Sequence, residues 1–146
     1  MNAPEIARRF DGGTSPLTGR LGALRALALA GYKVGLTIAP VMAYPGWQDG
    51  YGALLDDVTA AVAGDPDLYL TTEIITHRFT PSSKEVLLGW YPQTKLEMDE
   101  EQRTQKRSKF GGVKYVYPRA TMSEMRSWFT TELAARLPQA QLLYWT

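Results

Sequence analysis

The sequence contains no cysteine. This excludes disulfides, thiolate-bound zinc and any iron–sulfur cluster held by the chain's own side chains. The single histidine, His77, cannot build a multi-histidine metal site. No apolar run approaches the roughly 18 residues that a membrane-spanning helix needs. The amino terminus, MNAPEIARRFDGG, lacks the apolar segment that follows the basic residues of a secretory signal, so a cytoplasmic protein with no membrane partner is expected. Acidic residues are absent from 102–119, where six cations stand: Arg103, Lys106, Arg107, Lys109, Lys114 and Arg119. The rest of the chain then holds ten basic and fifteen acidic residues, a net of −5 beneath an overall charge of +1. A mildly acidic body with one basic projection points to an anionic partner.

What is present suits one α/β module. The 146 residues, 45% of them hydrophobic, are enough to bury a core. Ser15-Pro16 supplies an N-cap and first-turn proline for a helix whose Leu17, Leu21, Leu24 and Ala28 share a face, with Gly31 as its stop. Lys33–Met42 is a nearly continuous apolar strand of the kind buried on both faces of a parallel sheet. Gly50–Val62 reads as a helix with Leu54, Val58 and Val62 inward, ended by Gly64, and Leu68–Thr76 as a second strand. Thr80-Pro81 opens a short helix with Val86 and Leu87 as apolar contacts, and Thr94–Met98 is a third, short strand. Thr121 and Glu124 form a capping box for a helix carrying Met122, Met125, Trp128, Phe129 and Leu133 on one stripe. Gln141–Trp145 closes the pattern as a strand, and Glu5–Arg9 offers a strand stub before it. Helices alternating with strands imply right-handed crossovers and a parallel sheet. With so few strands the sheet is either small and open or flanked by another segment of polypeptide.

Ligands of parallel α/β folds bind at the carboxyl ends of the strands. Tyr44, Glu73, His77, Arg78 and Glu97 are the polar groups placed there. Ordinary roles compete for them: His77 capping the next helix, Glu97 pairing with Lys95 or Arg103. The loop Asp11–Pro16 has the glycines of a phosphate cradle but neither the lysine nor the spacing of a known one. Residues 102–117, QRTQKRSKFGGVKYVY, are more informative. Gly111-Gly112 between two alternating runs predicts a hairpin. Alternation sends Arg103, Arg107 and Lys109 one way and Lys106 the other, so neither face suits a core. Phe110 sits at the tip, with Tyr115 and Tyr117 on the returning arm. Cations for phosphates interleaved with rings for bases are what nucleic-acid binding requires. A solvated hairpin whose tyrosines pack on the body is the alternative.

Several segments carry a resemblance: residues 9–16 (RFDGGTSP), Gly31-Tyr32, Ile38-Ala39-Pro40, 46–51 (GWQDGY), His77-Arg78-Phe79-Thr80, 94–101 (TKLEMDEE), the hairpin and the final 142–146 (LLYWT). In order and spacing they resemble the carboxyl-terminal half of spore photoproduct lyase, across essentially the whole chain. The resemblance implies radical S-adenosylmethionine enzymes that return the thymine dimer called spore photoproduct to two thymines. It implies half of a partial (β/α)6, TIM-like barrel with parallel strands, plus a projecting basic β-hairpin: residues 1–146 form one module and 102–118 the hairpin insertion. It implies that Ile38, Ala39 and Pro40 lie against S-adenosylmethionine, and that Arg78 reaches the lesion's phosphate or sugar. Lys106, Arg107, Lys109, Phe110 and Tyr115 then face damaged double-stranded DNA, Lys109-Phe110 matching the wedge at the hairpin tip. The family's C-x3-C-x2-C motif, its hydrogen-donating cysteine and its upstream tyrosines belong to an amino-terminal half that this sequence does not contain. The four-iron four-sulfur cluster is therefore expected only through such a half, and the chain alone is expected to be inactive. A fragment, a split partner and a misassigned start at Met1 all remain open. A non-catalytic DNA-binding module and a scaffold without function are the competing readings.

Overall fold

A computed structural model describes every residue except Asp65, Pro66, Ser108 and Phe110. Three parallel strands form the main sheet: β1 (Val34–Val41), β2 (Leu70–Thr76) and β5 (Ala140–Trp145), in the order β1-β2-β5. Five helices accompany them: α1 (Pro4–Phe10), α2 (Leu17–Leu29), α3 (Trp47–Val62), α4 (Pro81–Trp90) and α5 (Arg119–Arg136). A separate antiparallel pair, β3 (Thr104–Arg107) and β4 (Val113–Val116), follows a 3-10 turn at Glu100–Gln102. Among the described residues no helix is long and apolar enough to cross a membrane.

The sheet is packed on one side. Val34, Leu36 and Ile38 of β1, with Leu70 and Ile74 of β2, join the apolar core made with α2, α3 and α5. The rows between them, Gly35–Thr71–Gln141 and Thr37–Glu73–Tyr144, lie on the opposite face. There Gly35, Thr37, Gln141 and Tyr144 are exposed. Burial that alternates with every residue is what a strand shows when one face meets a core. The outer edge of β1 is met by the start of the chain. Met1 N donates to Thr37 O, and Ala39 N donates to Met1 O at 3.2 Å. The two bonds bracket Ile38 as one rung of a parallel ladder.

Aromatic rings fill the space between α3 and α5. Trp47 and Trp128 meet edge to face at 5.1 Å, and Phe129 lies 5.4 Å from Tyr51 and 4.9 Å from Trp128. Tyr51 keeps its hydroxyl satisfied while buried: it accepts from Met42 N at 2.9 Å and donates to Asn2 Oδ1 at 3.0 Å. A Cβ on Gly50 would collide with the Tyr44 hydroxyl, which explains a glycine in the first turn of α3 despite its helix cost.

The structure corrects several expectations. Glu5–Arg9 is not a strand stub but most of α1: Pro4 presets the first turn, and Glu5 pairs with Arg9 one turn on, at 3.2 Å. Thr94–Met98 forms no strand. Its alternation arises because Leu96 and Met98 lean on the body while Lys95 and Glu97 face water, with no ladder partner. Ser15 does not cap α2, since Pro16 occupies the N-cap position. Thr121 and Glu124 make no capping box because the N-cap is Pro118, three residues earlier, and Thr121 already lies inside α5. Helix α3 begins at Trp47, released from the preceding turn by Gly46 at φ +78°. Val86 is 58% exposed rather than a core contact, and α4 buries none of its residues. The stripe on α5 and the strands β1, β2 and β5 fall where the sequence placed them.

Phe129 has no exposed surface and four ring neighbours. Phe129→Ala is expected to cost about 3–5 kcal/mol, measured by urea unfolding of this chain. A loss below about 1 kcal/mol would contradict the packing described.

Candidate nucleic-acid interface at the strand carboxyl ends

The carboxyl ends of β1 and β2 lie side by side, with Ile38 opposite Ile74 and Val41 opposite Thr76. His77 continues the contact, its N–H donating to Val41 O at 2.8 Å. Ile38 is fully buried and Ala39 and Pro40 half-buried, joined by a cis peptide. Their backbone polar groups are already engaged: Ala39 N by Met1 O, Pro40 O by Asn2 Nδ2 at 3.0 Å. Only Ala39 and Pro40 leave side-chain surface for a ligand, since Ile38 is wholly buried.

Beyond these ends stands a buried arginine. Arg103, whose side chain is 1% exposed, sits between the 3-10 turn and β3. Its Nε donates to Glu97 Oε2 at 2.9 Å and Nη2 reaches the same carboxylate. Nη1 donates to His77 O at 3.1 Å, and Nη2 lies 3.3 Å from His77 Nδ1. The guanidinium lies over the Tyr117 ring at 3.7 Å, with Phe79 at 5.7 Å. A guanidinium has donors only, so His77 Nδ1 must accept and the imidazole carries its proton on Nε2. Burial first, then the Arg103 charge, lower the His77 pKa to about 4, against an opposing pull from Glu97. The expectation that Arg103 lies on the projecting arm is thus corrected: its charge is neutralised by Glu97 and its flat face is covered by an aromatic ring. Of the ordinary roles weighed for Glu97, pairing with Arg103 holds.

The hairpin is tied down at its base. Phe79 and Tyr115 exchange backbone hydrogen bonds of 3.2 and 2.7 Å, and their rings stack at 5.3 Å. Tyr115 also bonds to Glu100, which lowers the acid's pKa and raises the phenol's. Tyr117 is buried, its hydroxyl accepting from Ala43 N at 3.0 Å. Both tyrosines pack on the body. Farther out, Lys106, Arg107 and Lys109 are exposed. Lys106 stands directly opposite Lys114 across the two strands, and like charges so placed repel. The expectation for Phe110 lies outside the described residues. Arg78 is exposed and its Nη1 donates to Thr146 Oγ1 at 2.8 Å, which holds it beside the end of β5. The structure therefore gathers Ile38–Pro40, His77 and Arg78 at one end of the sheet and fixes the hairpin base there. Sequence reasoning offered the Glu97–Arg103 pair but missed the burial of Arg103 against His77, because a cation is expected on the surface.

Among the described residues no cluster of three or more histidines, cysteines or carboxylates is arranged to hold a metal ion.

A family model described as spore photoproduct lyase matches residues 1–146. The chain is 37% identical over 146 residues to spore photoproduct lyase of Bacillus subtilis and 35% identical over 144 residues to that of Clostridium acetobutylicum. It is covered whole by the first match and to 99% by the second, yet spans only 43% and 42% of those relatives' lengths. Among solved structures, a spore photoproduct lyase complexed with dinucleoside spore photoproduct superposes with a TM-score of 0.94 at 37% identity. A mutant of such an enzyme with bound S-adenosylmethionine and dinucleoside spore photoproduct gives 0.94 at 36%. Each covers all of this chain, which in turn covers 43% of each.

His77 is the sole histidine, so its ring protons can be followed by NMR without assignment. It is expected to titrate near pH 4. From pH 6.5 down to about 4 the unfolded chain binds this proton and the folded chain does not, so stability falls as pH is lowered through that window. The loss amounts to roughly 3 kcal/mol at about 1.4 kcal/mol per unit. His77→Gln keeps an acceptor for Arg103 and should flatten this dependence. A His77 titration near 6.5 would contradict the buried, neutral ring.

Proposed function

Because this chain belongs to the spore photoproduct lyase family, we propose that it is the lesion- and DNA-facing half of a DNA-repair lyase that reverts spore photoproduct to two thymines. In this reading the one-sided sheet is half of a partial barrel, completed along the β1 edge by a cluster-bearing amino-terminal half. The rung that Met1 makes opposite Ile38 supports a parallel strand at that edge. So does the unpacked, partly polar sheet face, which a closed barrel would turn inward.

The observation that carries the DNA reading is the charge on the hairpin. Lys106 and Lys114 face each other, Arg107 and Lys109 stand exposed in the same segment, and no acid lies between 102 and 119. Their mutual repulsion is relieved by a phosphate backbone, whose contacts release condensed counterions. Anchoring by Arg103, Phe79 and Tyr115 gives the hairpin a fixed bearing on the strand ends. A tip residue inserted there, Phe110 in this sequence, can offset the few kcal/mol of unstacking that extrusion of a base requires. In this reading Arg78, exposed beside the end of β5, is the contact for the lesion's phosphate or sugar. Tyr115 contributes through the exposed remainder of its ring. A DNA substrate also favours the cytoplasm.

S-adenosylmethionine, reduced at an iron–sulfur cluster, supplies the radical in this family. The chain's residues do not fit the cluster, since it has no thiolate. They fit S-adenosylmethionine only in part: Ala39 and Pro40 leave some packing surface, Ile38 is wholly buried, and the Ala39 N–H is already bonded to Met1 O. The absence of thiolates also favours a second reading, a non-catalytic DNA-binding module derived from the family.

Replacing both Lys106 and Arg107 by Ala should weaken binding to every duplex. The slope of log affinity against log salt should shrink by up to about 1.8, at roughly 0.9 per lost phosphate contact. Fluorescence anisotropy at several salt concentrations measures it. An unchanged slope would remove the hairpin from the interface.

A further inference from the structure

Helix α4 is unusual in this fold. None of its residues is buried, yet Val86 is 58%, Trp90 77% and the adjoining Tyr91 62% exposed. Isolated apolar side chains on a surface need no explanation, but a cluster ending in two rings marks an interaction site. The cluster borders a groove of about 820 Å³ between the ends of α1 and α4, lined by Arg9, Phe10, Trp90, Tyr91 and Lys95 among others. That volume lies in the range of about 300–1,000 Å³ typical of ligand sites. Its lining contains two cations, three aromatic rings and no carboxylate. Arg9 shares its charge with Glu5 at 3.2 Å and rests over the Phe10 ring. Lys95 is exposed and forms no ion pair among the described residues.

The groove is continuous with the strand ends. A smaller cavity of about 210 Å³ shares Arg9, Phe10, Lys95 and Leu96 with it. That cavity is also lined by Met42 and Ala43 after β1, His77 after β2, and Tyr117 at the hairpin base. One path thus runs from the hairpin base, past the carboxyl ends of β1 and β2, to the rings of α4.

We propose that this groove is a second, single-strand contact for the DNA, with bases stacking on Trp90 and Tyr91 and phosphates meeting Lys95 and Arg9. The inference rests on the DNA-binding reading above and adds a surface to it. Aromatic faces accept any base, and nearby cations hold the backbone, which is how strands are bound without sequence preference. A groove for another stretch of polypeptide needs the apolar surface but not a carboxylate-free, cationic lining.

The test is titration of this chain with a short oligothymidylate, followed by anisotropy and by tryptophan fluorescence. Binding should quench the exposed Trp90, and Trp90→Phe should abolish most of that quenching. Trp90→Ala should weaken binding roughly tenfold with the salt slope unchanged, as expected for one lost stack. Lys95→Ala should reduce the slope by about 0.7, the single-strand value per contact. Both residues are exposed, so unchanged thermal melting is the control for folding. If Trp90→Ala and Lys95→Ala bind as the parent does while the Lys106/Arg107 variant fails, the hairpin reading stands and the groove proposal falls. If the parent itself binds no DNA, both fall. If a cluster-bearing amino-terminal half, added without DNA, shifts Trp90 emission to the blue and blocks oligothymidylate quenching, the groove belongs to polypeptide and the proposal is overturned.

Discussion

The buried guanidinium of Arg103 is the interaction on which the geometry of the candidate site depends. It joins three parts of the chain at one point: His77 at the end of β2, Glu97 in the segment after α4, and Tyr117 at the base of the hairpin. A cation withdrawn from water is tolerable only when its charge is paired and its donors are used. Here Glu97 supplies the charge, the His77 carbonyl and ring take donors, and Tyr117 covers the face. Removing any one of these leaves the others with an unsatisfied partner in a poorly hydrated place. The cluster therefore acts as a single unit that fixes where the hairpin stands relative to the sheet.

The second constraint is the one-sided sheet. Three parallel strands with their core on one face leave a row of threonine, glutamate and tyrosine on the other. Parallel sheets are ordinarily covered on both faces. Together with the 43% span of the relatives and the absence of cysteine, this fits the proposed division of labour. One half prepares the radical and the other presents the lesion.

The sequence made the regular parts legible. The stripe from Met122 to Leu133 specifies α5 because its spacing leaves one apolar face. The run before Pro40 specifies a buried strand, and Gly111-Gly112 specifies a turn between β3 and β4. Short segments were ambiguous: the five residues from Glu5 to Arg9 are too few to show a period, and Pro4 decides for helix. Thr94–Met98 alternates because one side lies on the body, a pattern that burial alone creates without a ladder. At the site, Ile38–Pro40 could be placed because strand ends follow from strands. Of the Arg103 cluster, the pair with Glu97 could be offered from sequence but the contact with His77 could not, since a partner 26 residues away leaves no periodic trace. The exposed rings of α4 escaped notice because Val86 and Leu87 were read as core.

The central claim is that this chain is the lesion-facing half of a lyase whose chemistry starts elsewhere. Reconstitution tests it most directly. The chain would be mixed with the cluster-bearing remainder of the Bacillus subtilis relative, supplied with S-adenosylmethionine and reductant, and loss of dinucleoside spore photoproduct followed by chromatography. The account predicts turnover in the mixture and none from either piece alone. An inactive mixture, under conditions where the relative's own two pieces regain activity, would contradict it.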